Sequence, residues 1–223
     1  MGKSMTFMCG LLICICLSEA KAQNLKTVFE KAQSTYKGKK DLSVKMEIFA
    51  FETEASLSAF YESTIEIKKH GDKYLYQYPG QEILIRDNLL LLVDIKQKQI
   101  RYIEKSMEGV QEVAIDPLLA IDTLIDKYLK ETYLGRKDGY DQYRIEYEDN
   151  AINVVGLLIG SETGVIKQLT YHYLSGQFVR IDFTEFDLDP FFDTQTFAIS
   201  NYIQDSDSRK PSLAYQDFQL IFW

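Results

Sequence analysis

The chain has 223 residues and a formal net charge of −8, with 25 Lys and Arg set against 33 Asp and Glu. An acidic surface repels phosphate backbones, which excludes nucleic acid as a partner. The 15 Tyr, 13 Phe and only 4 Pro describe folded material rather than linker, and the length suits one domain with a sizeable core.

Lys3 is the only charged side chain ahead of an apolar run, Met5 to Leu17. That run is too short for a spanning helix, which needs roughly 20 residues. Ala20 and Ala22 then occupy the third and first positions before a cut at Gln23, the small-x-small pattern read by signal peptidase. The expectation is a signal peptide over residues 1–22, removed from a single mature domain over residues 23–223 that works outside the cytoplasm. Cys9, Cys14 and Cys16 all lie in the apolar run, and each follows Met or Ile rather than the small residue a lipoprotein signal requires. The mature chain therefore holds no disulfide, no thiolate nucleophile and no thiolate-bound metal.

The mature chain opens on a helix. Leu25, Val28, Phe29, Ala32 and Tyr36 recur at i, i+3, i+4, i+7 and i+11 as one apolar stripe, and Gly38 ends it. From Asp41 the period changes to two. Leu42, Val44, Met46 and Ile48 alternate with Ser43, Lys45 and Glu47; Ile65 and Ile67 share a face; Tyr74, Tyr76 and Tyr78 oppose Leu75. EILIR, LLLLVDI and KQIRYIEK follow, with Pro79-Gly80 and Asp87-Asn88 as turns between runs. Short strands joined by short turns predict antiparallel hairpins.

One segment breaks this rhythm. After Asp116 as cap and Pro117 at a first helical position, Leu118, Ile121, Leu124, Ile125, Tyr128 and Leu129 make a wide apolar face, with Gly135 as the stop. A second helix is expected over Leu118–Lys130. Alternation then resumes with Tyr143, Ile145 and Tyr147, with INVVGLLIG, with Leu169, Tyr171 and Tyr173, and with Val179, Ile181 and Phe183; a last strand is expected in LAYQDFQLIF. Eight to eleven strands with two helices, and no strand–helix–strand rhythm, exclude a doubly wound sheet. The predicted fold is mostly β: one strongly curved antiparallel sheet, a half-open barrel, with an N-terminal helix and an inserted lid helix at its mouth.

Catalytic signatures are absent. His70 and His172 are the only histidines, too few for a zinc cluster, and no HExxH, phosphate loop, calcium loop or GxSxG elbow occurs. Glu185, Asp187 and Asp189 sit close in sequence; paired carboxylates would suit glycoside hydrolysis, and a solvated acidic loop is the plainer reading. The chain is expected not to be an enzyme and to carry no cofactor. An apolar interior remains, either a filled core or a partly empty groove, since barrels of this size can hold a small ligand. The tyrosines on inward positions favour the groove, because Tyr lines amphipathic pockets.

The order of elements, together with Tyr74 to Ile100, Asp116 to Ile125 and Glu162 to Ile199, resembles the periplasmic carrier family for outer-membrane lipoproteins, the LolA/LolB-like fold, and its Bacteroidetes-type members in particular. The resemblance implies a non-enzymatic monomer in the periplasm. Its partners would be lipid or lipoprotein acyl chains and envelope transport proteins. Carried over residue by residue, the ligand would meet Met46 and Ile48, Ile65 and Ile67, Tyr74 and Tyr76, and Leu91 and Val93. On the later strands it would meet Tyr143 and Ile145, Tyr171 and Tyr173, and Ile181 and Phe183. Leu118, Leu124 and Ile125 would belong to the lid. The family's Arg-Pro segment is missing: Lys68 and Lys69 stand in that region. The alternative function is an envelope scaffolding or interaction protein with a filled core.

Overall fold

The computed structural model describes residues 24–36, 38–104, 128–148, 151–204 and 210–222. The helical stripe forms α1 (Leu25–Tyr36), and the five residues of the stripe are the ones it buries. Period-two alternation holds in β1 (Asp41–Phe51), where Leu42, Val44 and Met46 are buried between polar neighbours. Hairpins follow in sequence: β2 (Tyr61–His70), β3 (Lys73–Tyr78), β4 (Gln81–Arg86), β5 (Leu89–Asp94) and β6 (Gln99–Glu104). The second series is β7 (Tyr128–Lys137), β8 (Tyr140–Tyr147), β9 (Ile152–Ile159), β10 (Ile166–Tyr173) and β11 (Phe178–Asp187), and the described chain closes on β12 (Gln219–Phe222).

These twelve strands join one sheet in the order β12-β6-β5-β4-β3-β2-β1-β11-β10-β9-β8-β7. Strands β1 and β11 unite the two series. Among the described residues β12 and β7 are the edges and do not pair with each other, so the sheet is open rather than a closed barrel. One face converges on α1 along its whole width, from Ile103 of β6 to Tyr133 of β7, in a single core. A sheet this wide can meet one helix only by curling. Register shifts between Lys45 and Met46, and at the β7–β8 and β9–β10 pairs, are the bulges that sharpen such a bend.

Several expectations are corrected. Residues 118–127 of the inserted helix lie outside the described residues, but Tyr128, Leu129 and Lys130 are strand, opening β7 against β8. The segment YLKETYLGRK puts Tyr128, Glu131 and Tyr133 opposite Tyr147, Ile145 and Tyr143, and this pairing overrides helix propensity. Gly135 is no helix stop: it sits at the bulge inside β7, at φ +109°. The sheet is not wholly antiparallel, because β12 runs parallel to β6. Only Gln219–Phe222 of the expected last strand is extended; Leu213–Tyr215 form a 3-10 turn. The N-terminal helix packs against the concave face of the sheet.

The sheet also has a second buried face. Leu75, Leu84, Leu89, Leu91, Val93 and Ile100 point away from α1 and pack under the C-terminal segment through Phe197, Tyr202 and Ile203. That segment is fastened by polar bonds. The Tyr202 hydroxyl donates to Glu82 at 2.7 Å, and Arg86 Nη1 donates to the Phe197 carbonyl at 3.0 Å. Burial, reinforced by the Glu82 carboxylate, holds the Tyr202 phenol protonated far above its ordinary range.

Candidate functional site

The concave face changes character along its length. At one end α1 is locked to the β9–β10 turn. The Tyr36 hydroxyl donates to the Gly164 carbonyl at 2.9 Å and accepts from the Ile166 amide at 3.1 Å, and Thr35 donates to the Thr163 carbonyl at 2.8 Å. Burial pushes the Tyr36 phenol up to about 12, against the lowering effect of the Ile166 amide. Gly164 sits at φ +69°, and a Cβ there would come within 3.0 Å of the Ala32 backbone. Glycine alone combines that φ with that approach. Around this end the concave residues are fully buried: Leu42, Val44, Ile85, Leu90, Ile159 and Ile166.

Toward the other end, exposure rises on strand after strand. Met46 gives way to Ile48, Ile67 to Ile65, Ile85 to Ile83 and Leu90 to Leu92. Across β1, Ile145 gives way to Tyr147, Leu169 to Tyr171 and Phe183 to Ile181. The result is an apolar surface, half-buried, at the end of the curl away from the β9–β10 turn, with tyrosines spaced across it. Burial pushes Tyr147 and Tyr171 up to about 12 and raises Tyr78 as well. Tyr128, raised chiefly by its bond to Glu131, donates to that carboxylate at 2.8 Å. These phenols stay neutral at physiological pH, so the surface offers rings and uncharged hydroxyls.

The expected site residues divide accordingly. Ile48, Ile65, Tyr171 and Ile181 lie on the half-buried concave surface. Met46, Ile67, Tyr76, Tyr143, Ile145 and Phe183 share that face but are spent in the core. Tyr74 lies nearer the closed end, its ring stacked on Tyr76 at 6.1 Å, and Tyr173 ends β10 opposite Ile152, past a register shift. Leu91 and Val93 are misassigned: they belong to the second core, on the opposite face, while Leu90 and Leu92 look inward. In LLLLVD both faces are apolar, so the run carries no phase. Leu118, Leu124 and Ile125 lie outside the described residues. Sequence reasoning missed Tyr78, Ile83, Leu92, Tyr128 and Ile152. The phase of Tyr74 and Tyr76 already pointed to Tyr78, whereas Ile83 is hidden in another two-faced run.

Catalytic groups do not assemble among the described residues. Glu185 pairs with Lys45 at 3.1 Å on the outer face, and Asp187 accepts the Asp189 amide in a local turn. His70 is bound to Asp41. No group of three or more His, Asp or Glu among the described residues could hold a metal ion, and none of their helices is long and apolar enough to cross a membrane.

An open, curled sheet holding a helix and presenting an apolar concave surface defines the class. No family model matches the chain, and no curated protein matches it. Among solved structures it is similar to an uncharacterized conserved protein from Thermus thermophilus, at 8% identity and TM-score 0.52, over 90% of this chain and 100% of that one. It is also similar to the Pseudomonas aeruginosa MucA/MucB complex, at 14% identity and TM-score 0.46, over 78% of this chain and 59% of that one. A LolA superfamily protein from Nitrosomonas europaea aligns at 14% identity and TM-score 0.35, over 78% of this chain and 97% of that one. The likeness is one of fold and singles out no particular family.

Proposed function

We propose that the chain is a non-enzymatic binding protein of the cell envelope that takes lipid or lipoprotein acyl chains on the open end of its concave face. The observation that carries this reading is the gradient from buried to half-exposed apolar residues on strand after strand. A core that only stabilised the fold would have no reason to leave the cross-strand pairs Ile48 with Ile181 and Ile83 with Leu92 both part-exposed. Each methylene hidden there contributes about 0.8 kcal/mol, and the neutral tyrosine hydroxyls suit the junction of an acyl chain with its polar head. The sequence resemblance to the Bacteroidetes-type lipoprotein carriers supports the same class. In this reading the expected lid, whose Leu118, Leu124 and Ile125 lie outside the described residues, would be the cover. The protein would act in the periplasm, beginning at Gln23.

The test is titration of the delipidated mature chain with a fluorescent fatty acid, beside the variant Ile65→Asp, whose folding is checked by circular dichroism. The mature protein binds the probe, and the variant loses at least about tenfold in affinity, because a carboxylate on the acyl surface is desolvated without a partner. Absence of binding by the unaltered chain would turn the assignment to an envelope interaction protein. That second reading has its own support: Leu57, Phe60, Tyr61 and Leu174 are exposed at the end of the sheet where β1 and β10 finish.

A further inference from the structure

The outer face of β8–β11 carries a cleft that has no part in the acyl-chain reading. Pairing across these strands aligns Arg144, Gly156, Thr170 and Arg180 in one rung. A cavity of about 410 Å³ lies over it, walled by Leu134 of β7 and Glu54 of the β1–β2 loop, within the range of about 300–1,000 Å³ found for ligand pockets. Its floor exists because residue 156 has no side chain. A Cβ there would stand 2.3 Å from Thr170 Oγ1, so any other residue would displace the hydroxyl and fill the depression.

The polar groups around this floor are held in place. Arg180 Nε donates to Asp182 at 2.9 Å, Gln168 donates to the other oxygen of the same carboxylate at 2.7 Å, and the Arg180 guanidinium stacks 4.6 Å from the Phe49 ring. Arg144 Nε donates to Glu146 at 3.1 Å. In the adjacent rung the rings of His172 and Phe178 meet at 4.9 Å, and His172 Nδ1 lies 3.8 Å from Glu54. Each guanidinium is thus paired with a carboxylate, Arg144 with Glu146 and Arg180 with Asp182, and Glu54 adds a third beside His172, so the charge balance does not favour an anion. What the cleft offers is the side-chain amides of Gln142 and Gln168, which both donate and accept, the Thr170 hydroxyl, two donating guanidiniums, and the Phe178 ring at one side. A ligand whose own groups each donate and accept is a polyol, and the C–H face of a sugar ring suits the Phe178 ring.

We infer that this outer-face cleft binds a neutral saccharide of one or two rings. The site is separated by the thickness of the sheet from the acyl-chain surface, so the two assignments stand or fall independently. The nitrogen-15-labelled mature chain is titrated with maltose, cellobiose and chitobiose, and in separate arms with inorganic phosphate and trialanine. At least one disaccharide at millimolar concentration shifts the amides around Arg144, Gly156, Thr170 and Arg180. The double variant Gln142→Ala/Arg144→Ala binds that sugar at least about tenfold more weakly while its affinity for the fluorescent fatty acid is unchanged. If the double variant perturbs the whole spectrum, Thr170→Val, which keeps shape and removes the hydroxyl, replaces it. Three outcomes overturn the assignment: no shift with any of the sugars, shifts elsewhere in the chain, or undiminished affinity in the variant. Shifts at this rung from phosphate or peptide but not from sugar overturn it as well.

Discussion

Strands β3–β5 and β8–β11 share the core around α1, yet their outer faces are opposites. Behind β3–β5 stand Leu75, Leu84, Leu89, Leu91 and Val93, roofed by the C-terminal segment. Behind β8–β11 stand Gln142, Arg144, Thr170 and Arg180, with no such roof among the described residues. An apolar outer face must be covered, and the chain supplies the cover from its own last residues. The difference is one of layers: the first half of the molecule is a three-layer sandwich and the second half is two layers with a wet back. The sharpest break of this comparison is Leu91→Ala. Leu91 is fully buried between the sheet and the C-terminal segment, so truncation costs about 2–5 kcal/mol. Gln142→Ala, on the opposite half, changes stability by no more than about 0.5 kcal/mol. Urea unfolding of both variants checks the pair, and equal effects would mean that the C-terminal segment contributes no second core.

The same difference decides how much could be read from the sequence. Where the outer face is wet, period two is visible, and Leu42, Val44, Met46, Tyr143, Ile145, Leu169, Tyr171, Ile181 and Phe183 fall on the core side as their alternation predicts, while Tyr173 lies past a register shift. Where both faces are apolar, as in EILIR and LLLLVD, the strands were legible but their phase was not, and Leu91 and Val93 were assigned to the wrong side. The stripe of α1 was legible in full because one helix face meets the whole core. The start of β7 reads as helix because Tyr128 and Leu129 continue the period of Leu118, Ile121, Leu124 and Ile125, and only pairing with β8 decides between the two. The C-terminal cover was invisible, since its aromatic residues follow no period and owe their place to the face they hide.

A second contrast runs along the concave face, between the end closed by α1 and the open end. Tyr36→Phe addresses the closed end. It leaves the Gly164 carbonyl and the Ile166 amide without the hydroxyl that now bonds both. Unpaired buried backbone groups cost about 1–3 kcal/mol, so the variant should lose that much in urea unfolding. Hydrogen exchange should quicken at Ile166 and along α1 while the amides of β3–β5 keep their protection. An unchanged stability would show that the helix is held by its apolar stripe alone.

The smallest effect belongs to the open end and is hidden at neutral pH. The Tyr171 phenol is pushed up to about 12 by burial, with the neighbouring Tyr173 adding to the rise. A phenol whose folded pKa lies above its unfolded value near 10 binds its proton more tightly in the native state. Its contribution is therefore complete below pH about 10 and is lost as pH climbs from there toward about 12. Tyr36, Tyr143 and Tyr147, each also pushed to about 12 chiefly by burial, act in the same window, so the protein should weaken steeply between these values. Tyr171→Phe removes one of the four. At pH 7 it should change stability by no more than about 0.5 kcal/mol, since the phenyl ring keeps the packing. Above pH 10 the variant should lose stability less steeply than the unaltered chain, and the two curves, measured by urea unfolding at a series of pH values, should draw together or cross. Tyr36→Phe should show the same shallower slope, but from a curve already lowered at neutral pH by the lost bonds to Gly164 and Ile166. Parallel curves for Tyr171→Phe and the unaltered chain across that window would show that the phenol titrates as though in water, and that the open end of the concave face is wetter than its half-buried rings imply.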